Sequence, residues 1–291
     1  MKIEVLKPKG YCSGVTLAIK CALKAKEENK DTQVYVLGML VHNKETIDFL
    51  KEKGIITLSN ENNDLFELIK EVPSHSVLIF TAHGHAEKLD EIAKSKNIKI
   101  YDATCPMVRN NINLIKDKIK EGYQIIFIGK KNHPQTNAML SISPNVKLYD
   151  DNLLNNYLKT TNSTIFVTNQ TTLNYDELEE THQKILNVCP NAIIQNEVCN
   201  TTRLRQKSLK SLTDDTDLII IVGSKESNNT MKLYDIATST YPRAKVIRIE
   251  GLLDIEYSDS LNKKHIAIVS GASTPPSTVD MIYESLVKLI K

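Results

Sequence analysis

The spacing of the cysteines constrains this chain more than any other feature of its sequence. There are five in 291 residues: Cys12, Cys21, Cys105, Cys189 and Cys199. Three are almost evenly placed, with 93 positions from Cys12 to Cys105 and 94 from Cys105 to Cys199. Self-similarity at a fixed period decides architecture before local propensity does. The same order of elements surrounds each of the three. A short strand-like run leads into each cysteine: Ile3–Leu6, Ile98–Tyr101 and Ala192–Ile194. A segment with helical apolar spacing follows: Val15, Ala18, Ile19, Ala22 and Leu23; then Val108, Ile112, Ile115 and Ile119; then, more weakly, Leu204, Leu209 and Leu212. Next comes an apolar strand ending in a polar loop, Val41-His42-Asn43, Asn132-His133-Pro134 or Ser227-Asn228-Asn229. A second strand and loop carry His83, Thr171 and Ser273. Helical patterns over Glu87–Lys94, Tyr175–Asn187 and Ser277–Ile290 close the three thirds.

Val- and Ile-rich strands alternating with helices predict parallel sheets covered on both faces. The expected class is therefore α/β, with three pseudo-repeated α/β domains and mostly parallel sheets. The boundaries fall at 13–104, 105–198 and 199–291, with residues 1–12 joining at the centre. Length alone suggests about two domains, so the period changes the count. The chain has no Trp, 11 Tyr and 5 Phe, which leaves the core to Ile, Leu and Val. A net charge of +2 argues against nucleic acid or a membrane surface as partner. No apolar run reaches the ~18 residues that span a bilayer. MKIEVLKPKGYCSG lacks an apolar signal core, so a cytoplasmic protein is expected, with cysteines present as thiols rather than disulfides.

In parallel sheets, ligands sit outside the carboxyl ends of the strands. Thirds meeting at a pseudo-threefold centre would bring the three cysteines and the polar loops to one site. Three thiolates suit either zinc with a histidine or an iron–sulfur cluster. Zinc sites usually show close pairs such as C-x₂-C, and the chain has none. A cluster on three thiolates keeps one iron open to polarise a substrate oxygen. His42, His83, His133, Thr171, Thr172, Ser227, Asn229 and Ser273 form an array suited to a phosphate or diphosphate. Cys21 and Cys189 have no counterparts in the other thirds and read as structural. Asn43 and Asp280 read as helix caps, and His75, His85, His182 and His265 as bystanders.

The segments GYCSGV (10–15), VHN (41–43), TAHG (81–84), YDATCP (101–106), NHP (132–134), NQTTL (169–173), GSKESNN (223–229) and SGASTP (270–275) complete the picture. With them the chain resembles the 4-hydroxy-3-methylbut-2-enyl diphosphate reductase family, which closes the methylerythritol phosphate route to isoprenoids. The resemblance implies a trefoil of three α/β domains around a [4Fe–4S] cluster held by Cys12, Cys105 and Cys199. It implies that His42, His83, His133, Ser227, Asn228, Asn229 and Ser273 hold the diphosphate, with Thr171 near the substrate alcohol. The implied reaction is a reductive dehydroxylation to isopentenyl and dimethylallyl diphosphate, with the substrate hydroxyl at the open iron. Electrons would come from a ferredoxin or flavodoxin, and a monomer is expected.

The chain departs from the family where the proton donor belongs. The family's His-Pro-Glu is His133-Pro134-Gln135 here, and an amide cannot act as a general acid. Thr136-Asn137-Ala138 leaves the family's acid–glycine pattern, and Ser-Ser-Asn has become Ser227-Asn228-Asn229. Three readings follow. One is a working reductase whose proton comes through water, Thr172 or the diphosphate. Another is a paralogue that uses the same three-cysteine cluster on a different, phosphorylated substrate. The last is a non-catalytic redox sensor.

Overall fold

The computed structural model describes residues 2–60, 64–150, 152, 164–255 and 263–288. Its strands form three four-stranded sheets, every pairing in them parallel. The first sheet has the order β3-β2-β4-β5, from β2 (Val34–Leu37), β3 (Ile55–Leu58), β4 (Val77–Phe80) and β5 (Lys99–Asp102). The second, β7-β6-β8-β9, uses β6 (Gln124–Ile128), β7 (Val146–Leu148), β8 (Ile165–Asn169) and β9 (Ile193–Ile194). The third, β11-β10-β12-β1, uses β10 (Leu218–Val222), β11 (Lys245–Ile249), β12 (His265–Ser270) and the N-terminal β1 (Lys2–Val5). All three thus have one strand order, and β1 fills in the third sheet the edge place held by β5 and β9. Its register runs from Lys2 against His265 to Val5 against Ile268.

Among the described residues there are ten α-helices, nine of them between strands. They are α1 (Ser13–Glu28), α2 (Lys44–Glu52), α3 (Leu65–Glu71), α4 (Glu87–Ser95), α5 (Pro106–Lys120), α6 (Pro134–Leu140), α7 (Tyr175–Val188), α8 (Asn200–Lys210), α9 (Asn228–Thr240) and α10 (Pro276–Lys288). The helices expected from apolar spacing after the second loops are α4, α7 and α10, with ends moved by one or two residues. Ile290 lies outside the described residues. Asn43 caps α2, its Oδ1 accepting from Thr46 N at 2.9 Å. Asp280 is not a cap: it lies within α10 and pairs with Lys9. Among the described residues no helix is long and apolar enough to cross a membrane.

Two compact units make up the chain. One comprises Met1–Val15, Val41–Thr46 and Cys199–Lys291 and contains the third sheet. Its central strand β10, Leu-Ile-Ile-Ile-Val, is buried throughout because both faces are covered. Ile219 and Ile221 meet Leu233, Ile236 and Ala237 of α9, while Leu218, Ile220 and Val222 meet Val279, Ile282 and Leu286 of α10. The other unit comprises Thr16–Leu40 and Ile47–Val198 and contains the first two sheets. There Val34, Val36 and Ile79 lie against Ala18, Ala22 and Ala25, whose small side chains let α1 approach the strands closely. Leu37, Leu78 and Phe80 face Leu68, Ile69 and Leu89 on the opposite side. The second sheet repeats the scheme, with Val167 against Leu178 and Ile185 of α7, and Phe127 and Phe166 against Val108 and Ile115 of α5.

His182 of α7 is a buried histidine whose Nε2 has no hydrogen-bond partner. Burial holds its imidazole below the usual range, against the opposing pull of Glu179. The fold therefore accommodates the neutral ring, the unfolded chain takes up the proton first, and stability falls as pH drops below about 6.5. His182→Leu should flatten that fall, as read from urea midpoints between about pH 7.5 and 5.5. Equal pH slopes in the two proteins would assign the acid sensitivity elsewhere.

Candidate active site

In the unit holding the third sheet, the loop after β1 carries Cys12 to the start of α1. Its N–H donates to Ala272 O at 3.0 Å, and its Sγ accepts from Val15 N at 3.4 Å. Gly10 makes this path possible, with a left-handed φ of 69° and an N–H donating to Ser270 Oγ at 2.9 Å. A Cβ there would lie 2.7 Å from Pro276 Cγ and 2.9 Å from Pro276 Cα. Left-handed strain costs a non-glycine residue about 1–3 kcal/mol, and the contact with Pro276 backbone adds to it. Gly10→Ala should lower unfolding free energy by at least that range in urea titration; an unmoved midpoint would contradict the close approach.

Cys199 is the N-cap of α8. Its Sγ accepts from Thr202 N at 3.4 Å and lies 3.1 Å from Thr202 Oγ1. Asn229 ties this corner together: Nδ2 donates to Thr202 Oγ1 at 3.3 Å and Oδ1 accepts from Ala272 N at 3.0 Å. Ser227 caps α9, its Oγ accepting from Thr230 N at 3.3 Å, and Asn228 is buried at the first position of that helix. Ser273 Oγ donates to His42 O at 3.1 Å. Cys12, Cys199, His42, Ser227, Asn228, Asn229 and Ser273 thus belong to one compact unit.

Sequence reasoning missed one residue of this unit. Arg205, in the second turn of α8, is 1% exposed. Its Nη1 donates to Pro8 O at 2.8 Å, Ser270 O at 2.6 Å and Ser270 Oγ at 3.2 Å, and its Nη2 to Gly10 O at 2.5 Å. Its Nε is buried without a partner. Desolvation pulls its pKa down to about 10, with Cys12 and Cys199 opposing the shift.

In the other unit Cys105 occupies the N-cap position of α5, and its N–H donates to Ala82 O at 3.0 Å. His83 and His133 meet edge to face, with ring centroids 5.5 Å apart. His133 caps α6: Nδ1 accepts from Gln135 N at 3.1 Å. An accepting Nδ1 leaves the neutral ring's proton on Nε2, so His133 offers an N–H donor.

Gln135 is 1% exposed. Its Oε1 accepts from Thr171 Oγ1 at 3.0 Å and from Thr171 N at 3.4 Å, while its Nε2 is buried without a hydrogen-bond partner. The backbone N–H fixes which end of the amide faces Thr171. Thr171 must therefore donate to Gln135, which leaves its lone pairs to face a ligand. Thr172 Oγ1 accepts from Gln170 Nε2 at 2.9 Å.

The histidines outside the repeat have other partners. His85 stacks on Phe80 with centroids 3.5 Å apart, and its Nε2 meets Asp90 at 3.0 Å. His265 Nε2 meets Glu4 at 2.6 Å. His75 takes a left-handed φ of 65°. Cys21 lies against the alanine-rich core and burial pushes its thiol pKa up, which disfavours the thiolate. Cys189 is the C-cap of α7.

Known proteins place these features in a family. The family model described as LytB protein matches residues 3–287. A 4-hydroxy-3-methylbut-2-enyl diphosphate reductase of Malacoplasma penetrans is 36% identical over 281 residues, covering 94% of this chain and 93% of that protein. The reductase of the same name from Bacillus cereus is 36% identical over 287 residues, covering 97% and 89%. The solved E-1-hydroxy-2-methyl-but-2-enyl-4-diphosphate reductase of Plasmodium falciparum superposes with a TM-score of 0.86 at 28% identity, covering 97% of this chain and 87% of that one. A second solved (E)-4-hydroxy-3-methyl-but-2-enyl diphosphate reductase, titled the terminal enzyme of the non-mevalonate pathway, gives 0.70 at 28% identity with 99% coverage of both chains. Matched along nearly its whole length by these oxidoreductases, the chain belongs to the LytB family.

Proposed function

We propose that this chain holds a [4Fe–4S] cluster on Cys12, Cys105 and Cys199 and reduces 4-hydroxy-3-methylbut-2-enyl diphosphate to isopentenyl and dimethylallyl diphosphate. The observation that carries the reading is the shared setting of the three thiols. Each follows an edge strand of its sheet and stands at the start of a helix. The donor set fits the group: soft thiolates suit iron–sulfur clusters, and helix N–H groups aimed at Cys12 and Cys199 favour negative charge on sulfur. When bound, such a cluster supplies single electrons and a Lewis-acidic iron for the substrate hydroxyl.

The chain's own residues would do the rest. His42, His83, His133, Ser227, Asn228, Asn229 and Ser273 hold the diphosphate. Ser227 spends a lone pair as a cap and keeps its O–H to donate. Thr171 accepts from the substrate alcohol through lone pairs that its bond to Gln135 leaves free. Neither Gln135 nor Thr171 can deliver the proton that the leaving water needs. That proton comes through water, Thr172 or the diphosphate. A ferredoxin or flavodoxin supplies the electrons, and the chain works as a monomer.

The buried, unpartnered Gln135 Nε2 also favours a second reading. It asks for an acceptor on the ligand where the family's acid would offer a proton. A paralogue with the same cluster and a different phosphorylated substrate would meet that demand. Anaerobic purification and a reduced-protein assay with 4-hydroxy-3-methylbut-2-enyl diphosphate test both readings. A full cluster gives about four irons per chain, and turnover selects the first reading. A loaded but inactive protein selects the second, and one tight zinc without sulfide ends both.

A further inference from the structure

We infer that Arg205 is the fixed countercharge of the cluster, a buried cation that offsets the negative charge at Cys12 and Cys199 and raises the potential at which the cluster accepts an electron. The inference rests on the cluster reading above. The reason is an imbalance in the unit that holds the third sheet. Every hydrogen bond of Arg205 goes to a neutral oxygen, from Pro8, Gly10 or Ser270. No carboxylate joins it among the described residues. Burying an ion without a counter-ion is costly, and neutral carbonyls offset that cost only in part. With a pKa of about 10 the guanidinium keeps its charge at neutral pH.

The groups placed to balance that charge are the two sulfurs whose pull on it opposes the cost of burial, Cys12 and Cys199. Arg205 lies on the helix that Cys199 caps and holds the carbonyls of Pro8 and Gly10, just before Cys12. One side chain thus reaches the surroundings of both thiols. A cluster on thiolates gains negative charge when reduced, so a fixed positive charge nearby stabilises the reduced form. The guanidinium suits this place better than an ammonium, because it is more weakly hydrated and its planar fork can meet several carbonyls at once.

The experiment compares anaerobically loaded natural protein with R205M and R205K, reading iron content and the one-electron midpoint potential. R205M should weaken reduction by at least about tenfold in equilibrium constant, ~59 mV for a one-electron couple. R205K, which keeps the charge and loses the fork, should stay close to the natural potential. If R205M loads no cluster while R205K does, the charge itself is required and the inference stands. It falls if R205M loads with an unchanged potential, if R205K shifts as far as R205M, or if neither variant loads. A natural protein that holds no cluster would fail the function proposed above instead, before any variant is measured.

Discussion

Gln135→Glu should raise turnover of 4-hydroxy-3-methylbut-2-enyl diphosphate by about 10²–10⁴-fold, the usual contribution of a positioned general acid. The substitution is close to isosteric and enters a pocket where the side chain is 1% exposed. Burial disfavours a carboxylate and pushes such a carboxyl pKa upward, which keeps the proton available near neutrality. The polarity of the pair would then reverse. A protonated carboxyl can donate to Thr171 Oγ1, freeing the Thr171 hydroxyl to donate to the substrate alcohol, whereas Gln135 can only accept there. Single-turnover rates with pre-reduced protein isolate this step. The variant's rate should also gain a falling limb at high pH as the new acid ionises. A gain of that size over measurable turnover by the natural chain would show the reductase reaction running without a positioned acid, whereas a gain from no detectable turnover would select the reading with a different substrate. If the natural protein already turns over well and the variant gains little, the proton comes from another group.

Cys105→Ser should remove or destabilise the cluster, with iron and sulfide falling well below the natural content and reductase activity lost. A serine hydroxyl is a harder, far less acidic ligand than a thiol, so it replaces a soft thiolate poorly. The same substitution at Cys21 or Cys189 gives the control. Cys21 packs beside the small residues of α1 with its thiol pKa raised by burial, and Cys189 ends α7. Both variants should keep natural iron content and spectrum. An unchanged spectrum in the Cys105 variant would remove that residue from the ligand set.

Much of this was legible in the sequence because the repeat is written in residue types. The strand-like runs before Cys12, Cys105 and Cys199, the helices after them and the polar loops all appear in order, since strand, cap and loop chemistry are local. The strand order was not legible. Which parallel neighbour an edge strand chooses is settled by tertiary packing, and β1 finds its place beside β12 at the far end of the sequence. Arg205 was hidden for a related reason. It sits in Asn-Thr-Thr-Arg-Leu-Arg-Gln-Lys-Ser-Leu-Lys, whose many cations read as a solvated face. Only the approach of the Pro8–Gly10 loop and Ser270 shows which of them is buried. For Gln135, residue type excluded a general acid. Its bond to Thr171 depends on β6 lying beside β8, which brings the loops after the two strands together.

The pairing of β1 with β12 also sets an order in time. Glu4 and His265 meet across 261 positions of chain. The ribosome makes β1 long before its partner. Contacts this distant in sequence form late, because the intervening loop must close before any bond repays it. Cys12 takes its folded setting against Ala272 only after that closure. Its thiol is the first of the five cysteines in the sequence, yet it can reach its native surroundings only after β12, a strand about 260 positions later, has been made and paired.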